Sequence, residues 1–361
     1  MVIFDNLVVG AGISGATIAR ISAERGERVL VIDRRSHIAG NCYDYVDENG
    51  ICIHKYGSHI FHTNNEKVWN FLNRFTDFNT FTLRIVAVID GIEAPIPFNI
   101  GTLYRVFPQS LAEKIERKLL EKFAYNEKIG IADFQKQDDD DLKFLAKYIY
   151  EKVFYGYNQK QWGRIPSDAV MARVPVYVSK DSRYFQDKYQ GIPLRGYTKM
   201  IEKMLDHSNI VVRLCADYKE IKEKFGKIFH TGSIDEFFDY KFGQLPYRSV
   251  NFKLETHCRE FYQSGAVVNY PCNYDFTRIH EYKYYLGDKS EKTVIAKEYS
   301  EPFESGKNER FYPIDEECNR VLYEKYIAEA KKNNSLRFLG RLGDYRYYDM
   351  DDAVERAIDL F

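Results

Sequence analysis

The alternation of apolar and polar positions divides the chain into stretches of different period. Near the start, the mainly apolar run Phe4 to Val9 leads into Gly10-Ala11-Gly12-Ile13-Ser14-Gly15 and then the helix-compatible Ala16 to Ala23. After Gly26, Val29-Leu30-Val31-Ile32 carries no polar interruption, the pattern of a parallel strand buried on both faces, and ends at Asp33. Two later runs, Lys227 to Gly232 and Leu336 to Gly340, read as returns to the same sheet. A last helix is expected from about Asp351, with Asp349 placed to cap its free N–H groups. Between these returns the period changes. Residues 100 to 172 read as helical, with Leu142, Leu145, Ile149 and Val153 three or four apart, and Asp138 to Asp141 as a solvated helix start. From about 246 to 300 the runs are β-rich, for example Ala266 to Tyr270 and Thr293 to Ala296.

Length and composition narrow the class. A chain of 361 residues with 45% apolar content can bury a full core and form two or three domains or one elaborated one. Lys plus Arg (52) nearly balance Asp plus Glu (53), so no global field would concentrate it on nucleic acid or an anionic membrane. No apolar stretch has membrane-spanning length, and Met1 to Asp5 lack the pattern of a secretory signal. The six cysteines (42, 52, 215, 258, 272 and 318) are scattered, as expected of reduced thiols in a cytoplasmic protein. The 29 tyrosines and 25 phenylalanines are unusual; most should be core, but a tyrosine's flat face and hydroxyl also suit a base or a sugar ring.

The opening segment carries specific chemistry. In a strand–turn–helix unit, Gly10 permits the tight turn, Gly12 lets backbone approach a pyrophosphate, and Gly15, next to Ser14, allows close packing; the helix N-terminus then faces the phosphates. Asp33 stands at about the ~20-residue offset of a ribose-binding acid. The following Arg34-Arg35-Ser36-His37-Ile38-Ala39-Gly40-Asn41 resembles the stretch found in flavoproteins of the glutathione reductase and amine oxidase type. That resemblance favours FAD, with Arg34 near its adenosine or pyrophosphate and Gly40-Asn41 admitting close backbone approach.

More specific motifs follow. Tyr56-Gly57-Ser58-His59-Ile60-Phe61-His62-Thr63, Tyr157-Asn158-Gln159-Lys160-Gln161-Trp162-Gly163, Arg173-Val174-Pro175-Val176, Tyr189 to Pro193, Thr277-Arg278, Lys297-Glu298-Tyr299, Gly340-Arg341-Leu342 and Tyr347-Tyr348-Asp349-Met350 together resemble the bacterial UDP-galactopyranose mutase family over nearly the whole length. The resemblance implies an α/β fold: a discontinuous Rossmann-like FAD-binding domain (1–80, 193–245 and 316–361), a helical-bundle domain (100–172) and an antiparallel β-sheet domain (81–99, 173–192 and 246–315). It implies a homodimer that uses reduced FAD without net electron transfer, in which flavin N5 displaces UDP from the anomeric carbon and the ring opens as a flavin-linked iminium before reclosing. An external electron donor is then required.

By the same resemblance, Arg173 and Arg278 hold the diphosphate and His59 lies near the reactive centre of the flavin. Tyr157, Trp162, Tyr184, Asn269, Tyr312, Tyr347 and Asp349 meet the substrate, while Tyr56, Arg341, Asp349 and Met350 join the glycines on the cofactor. His59 and His62 are three apart, yet no third ligand is evident, so no metal is expected. Four positions depart from the family pattern: Leu83 for a sugar-proximal Asn, Val153 for an aromatic, Asn158 for Thr and Arg195 for Gly. These leave the chemistry intact and open the substrate: UDP-galactopyranose is expected first, dTDP-fucopyranose second, and an N-acetylated sugar such as UDP-N-acetylgalactosamine third. A flavin oxidase sharing the N-terminal fold, or a non-catalytic nucleotide-sugar binder, are the rival classes.

Overall fold

In the computed structural model the described residues are 4–163 and 175–361. The run Val29–Asp33 is a strand buried at every position. It lies between Asn6–Val9 and Ile210–Leu214, and Asn6–Val9 is followed outward by Lys227–His230 and Leu336–Phe338. Every pairing in this sheet is parallel. Both expected returns are present. Ile210–Leu214 is a further edge strand, half open to solvent, that was not among the expected returns although Ile210-Val211-Val212 is apolar. The helix Ile13–Glu24 packs on this sheet and against the helices Tyr197–Leu205 and Met350–Ile358, with Ile18 and Ala19 wholly buried. A buried Ile of this kind contributes roughly 1.5–3 kcal/mol.

A second sheet of seven strands runs in the order Tyr312–Pro313, Tyr247–His257, Thr293–Pro302, Arg278–Glu281, Val267–Asn269, Ile85–Ile89, Ile92–Ile96. Its pairings are antiparallel except for Val267–Asn269 against Ile85–Ile89, which is parallel. Two strands inside 173–192 lie elsewhere. Pro175–Tyr177 pairs with Phe98–Asn99 and Lys128–Gly130, and Tyr189–Gly191 pairs with Phe61–Thr63. The chain leaves the large sheet at Pro97, whose missing N–H cannot extend a ladder.

The helical stretch comprises Ile100–Val106, Gln109–Lys122, Ile131–Gln135 and Asp140–Ile149, then a π-helical turn at Tyr150–Tyr155 and the helix Gly156–Trp162. Leu142, Leu145, Ile149 and Val153 are all buried, as their spacing predicts. In the acidic run, Asp139 caps the helix by accepting the N–H groups of Asp141 and Leu142, and it also meets Lys118. No described helix is long and apolar enough to cross a membrane.

Candidate active site

The glycine turn is built by exclusion. A Cβ added to Gly15 would stand 1.9 Å from the Gly10 carbonyl oxygen, and one on Gly10, at φ +107°, would stand 2.0 Å from Thr231 Oγ1. Gly12 differs: an added Cβ would meet only Gly40, at 3.7 Å, so within the protein its vacancy is spare. Gly12 is also the N-cap of Ile13–Glu24 and offers no side-chain cap, which leaves the first N–H groups of that helix available to an anion. A cavity opens here. Gly10, Gly12, Ser14, Gly15, Asp33, Arg34, Gly40, Asn41, His59, Arg341, Asp349 and Met350 all line it. Asp33 accepts the Ala11 N–H through Oδ2 and the Arg35 N–H through Oδ1, both at 2.9 Å, which fixes the carboxylate while each oxygen keeps a second lone pair. This cavity, with an uncapped helix N-terminus beside a fixed acid, fits a dinucleotide.

Tyr56 is not brought to the cavity wall. Its ring lies under the Arg35 guanidinium, 4.5 Å from centroid to Cζ, and its hydroxyl meets His37 Nε2 at 2.8 Å, so it orders Arg35, which does line the cavity. Arg34 is about half exposed and ion-paired to Glu236 at 3.2 Å. His62 also lies off the wall, stacked on Phe185 with centroids 3.5 Å apart and 3.1 Å from Asp187. His59 donates from Nδ1 to the Gly57 carbonyl at 2.7 Å, which assigns its lone pair to Nε2. Burial, aided by the neighbouring His54 and Arg341, pushes the His59 imidazole down to about 3 and keeps it neutral.

The second half of the site is laid out by the register of the large sheet. Asn269, Arg278 and Glu298 are direct cross-strand neighbours and therefore project from one face. Arg278 Nε donates to Glu298 Oε1 at 2.9 Å, and its terminal nitrogens have no partner among the described residues. Asn269 Oδ1 is buried without a hydrogen-bond partner among the described residues. Tyr157, from the helix Gly156–Trp162, places its ring 5.9 Å from Arg278 Cζ. Trp162 approaches Tyr312 at 6.3 Å, Tyr312 stacks on Tyr347 at 5.9 Å, and Arg341 lies over Tyr347 at 4.8 Å. Arg341 thus touches both the cavity and the tyrosine row. Tyr347 donates to Asp349 at 3.2 Å, and Tyr184, edge-on to Phe185 with centroids 4.9 Å apart, is 37% exposed. Desolvation of the hydroxyl end raises the phenols of Tyr157, Tyr184, Tyr312 and Tyr347, even though Tyr184 and Tyr347 keep much of their ring surface exposed, so all four remain neutral donors at ordinary pH. Arg173 lies outside the described residues.

Lys160, Thr277 and Glu298 stand in the motifs quoted above, but sequence reasoning gave no role to the groups behind this face. Burial alone would raise the Glu298 carboxyl, but the charge of Arg278 and hydrogen bonds from His280 and Thr277 bring it down to about 2. Lys160 donates to the carbonyls of Tyr270, Tyr274 and Phe276, and the almost fully buried Arg248 donates to those of Gln161 and Lys160, so the helix bearing Tyr157 and Trp162 is fixed to the sheet. The available signal was a charged residue where strand alternation asks for an inward apolar one, as at Glu298 between Ala296 and Ser300.

Comparisons with known proteins agree with this geometry. The profile of a family described as UDP-galactopyranose mutase matches residues 152–347, and that of an NAD(P)-binding Rossmann-like domain matches residues 8–75. A Klebsiella pneumoniae protein named as a probable UDP-galactopyranose mutase is 39% identical, covering 98% of this chain and 92% of its own. An Escherichia coli dTDP-fucopyranose mutase is 38% identical, with 98% and 96% covered. In fold, a crystal structure of reduced UDP-galactopyranose mutase superposes with a TM-score of 0.75 at 15% identity, covering 100% of this chain and 93% of that one.

Proposed function

The chain belongs to the UDP-galactopyranose mutase family, and on that footing we propose that it interconverts the pyranose and furanose forms of a nucleotide-diphosphate sugar, UDP-galactose first, with reduced FAD as cofactor. The family is one of isomerases. One observation carries the reading: Arg341 lines the dinucleotide cavity and also lies over Tyr312 and Tyr347, so cofactor and sugar chemistry meet at one side chain. Gly10, Gly12, Ser14, Gly15, Asp33, Arg34, Gly40, Asn41, Arg341, Asp349 and Met350 would hold the FAD. When bound and reduced, FAD supplies an electron-rich nitrogen able to displace a diphosphate from a glycosyl carbon.

The residues of the chain then have defined tasks. Arg278, together with Arg173, takes the diphosphate: a guanidinium whose Nε is already engaged presents two terminal nitrogens in one plane to phosphate oxygens as negative charge gathers there. Tyr157, Tyr184, Tyr312 and Tyr347 offer neutral O–H donors, which hold the departed diphosphate without adding charge. Asn269 Oδ1 is a buried acceptor awaiting a hydroxyl donor, and leaving it unmet would cost about 1–3 kcal/mol. His59 turns a neutral nitrogen lone pair to the cavity, and Arg341 favours negative charge on a reduced cofactor. Trp162 and the tyrosine row offer flat aromatic faces to the substrate.

A second reading, the same chemistry on dTDP-fucopyranose, rests on Leu83. Its carbonyl accepts the Tyr184 N–H at 2.9 Å, so an apolar, buried side chain sits beside a substrate-facing tyrosine where the family pattern has Asn. That would suit a sugar lacking a hydroxyl. The test is an assay of the dithionite-reduced enzyme with UDP-galactopyranose, dTDP-fucopyranose and UDP-N-acetylgalactosamine in parallel. Fast turnover of the first supports the first reading; negligible turnover of it beside fast turnover of another moves the assignment to that sugar, and turnover of none rejects the proposal.

A further inference from the structure

Behind Arg278 a line of buried polar groups leaves the substrate face and ends in the loop that carries His59. Glu298 accepts from Arg278 and Thr277 through Oε1 and meets His280 Nε2 through Oε2 at 2.8 Å. The other imidazole nitrogen, Nδ1, meets Ser58 Oγ at 2.5 Å, and Tyr285 donates its hydroxyl to the same Ser58 oxygen. His280 is 2% exposed and Glu298 3%, so neither can exchange these partners for water.

The directions of these bonds are determined. An ionised carboxylate only accepts, so Nε2 carries the proton. Burial pushes the His280 imidazole down and keeps it neutral, so Nδ1 has a lone pair and Ser58 must donate to it. Tyr285 to Ser58 to His280 to Glu298 is therefore one aligned chain of donors, closed by Arg278 from the other side. Such aligned bonds polarise one another in a low-dielectric interior.

We propose that His280 is a positioning residue for the rearrangement: by joining Glu298 to Ser58 it fixes the loop bearing His59 relative to the guanidinium of Arg278. The inference rests on the roles proposed above for Arg278 and His59. Ser58 and His59 are adjacent in the loop between the strands Cys52–His54 and Phe61–Thr63, whereas the strand Arg278–Glu281, which carries both Arg278 and His280, belongs to the seven-stranded sheet that neither of those strands joins. The loop has further anchors: the His59 N–H donates to His54 Nδ1 at 3.1 Å, and Tyr282 donates to the His54 carbonyl at 3.1 Å. Loss of the Ser58 link alone should thus loosen the loop without unfolding the protein.

The experiment compares wild type, Ser58→Ala, Ser58→Thr and His280→Gln as reduced holoenzymes. Ser58→Ala removes the donor, Ser58→Thr retains it, and His280→Gln keeps a donor for Glu298 while losing the separate acceptor for Ser58. Expected is a fall in kcat of about tenfold or more for Ser58→Ala and His280→Gln, with KM and UDP affinity within about twofold of wild type because Glu298 still holds Arg278. Ser58→Thr should turn over near the wild-type rate. Wild-type kcat in Ser58→Ala, equal loss in Ser58→Ala and Ser58→Thr, or a parallel loss of UDP affinity would each overturn the proposal. A second readout needs no turnover. The absorbance bands of the bound oxidised flavin should shift in Ser58→Ala and His280→Gln and return in Ser58→Thr; bands identical to wild type in all three overturn it. Should wild type rearrange no nucleotide sugar, the proposed function fails, and the flavin bands still judge the network.

Discussion

Arg278 and Glu298 stand directly opposite each other on adjacent antiparallel strands, and the arginine spends its Nε–H on that carboxylate at 2.9 Å. A cation anchored in this way keeps a fixed aim, and the glutamate that anchors it is itself held ionised, against its burial, by the charge of Arg278 and hydrogen bonds from His280 and Thr277. Arg278→Ala should therefore reduce kcat by roughly 10²–10³, as removal of a preorganised charge-stabilising donor does, while the FAD content measured at 450 nm stays at wild-type level. Arg278→Lys should recover little, because an ammonium cannot both keep the Nε contact and present a planar pair of donors. Unchanged turnover in Arg278→Ala would remove the role assigned to it.

Gly12 gives a sharper test of the cofactor site than Gly10 or Gly15. At the latter two, a methyl group collides with Thr231 or with the Gly10 carbonyl and damages the fold. At Gly12 the nearest atom is Gly40 Cα, 3.7 Å away, an ordinary contact. Gly12→Ala should fold with an unchanged far-ultraviolet circular dichroism spectrum and a melting temperature close to that of wild-type apoprotein, yet purify colourless. A fully yellow Gly12→Ala protein would contradict the placement of a pyrophosphate against this turn.

The contrast between Gly12 and Glu298 also shows what the sequence could convey. The glycine turn, the buried strand after it and the acid at its end are local events, readable because each is set by neighbours within a few residues. Leu142, Leu145, Ile149 and Val153 were equally legible, since a helical stripe repeats its own evidence. Glu298, His280 and Ser58 are not local; their meeting depends on the register of strands far apart in sequence, and a lone buried acid looks the same as a surface one until its partners are placed. Tyr56 shows the converse: a motif put it beside the cofactor, but the cation it carries, Arg35, takes the cavity wall instead. Ile210–Leu214 escaped notice because its apolar run, Ile210-Val211-Val212, is short and gives way at once to Arg213.

Stability should fall as the pH is lowered from neutral. Burial, with the nearby His280, pushes His54 down to about 3, and burial pushes His230 down to about 4, against 6.5 in an unfolded chain. Below pH 6.5 the unfolded chain binds protons that the folded one refuses, so each of these histidines removes about 1.4 kcal/mol per pH unit until its folded pKa is reached. Glu298 acts in the same direction at lower pH: its contribution is present above 4.5 and is lost as the pH falls toward about 2. Calorimetry at pH 7, 6 and 5 should show a declining melting temperature and net proton uptake on unfolding at pH 5. A melting temperature that is level down to pH 4.5 would contradict the neutral burial of these imidazoles.

Substitution at Leu83 tests the choice between sugars. Its side chain is 3% exposed and its carbonyl is fixed by the Tyr184 N–H, so an Asn placed there would enter the same space with a donor and an acceptor. Leu83→Asn should raise kcat/KM for UDP-galactopyranose relative to dTDP-fucopyranose by on the order of tenfold. An unchanged ratio would show that the side chain at 83 does not reach the sugar.

The most direct measurement is the rate at which purified enzyme converts UDP-galactopyranose to its furanose isomer with the flavin oxidised and with it reduced by dithionite, followed by chromatography while any electron acceptor is monitored. The account predicts rapid conversion only in the reduced state, over many turnovers, with no acceptor consumed. Equal conversion in both states, or a stoichiometric demand for an acceptor, would contradict it.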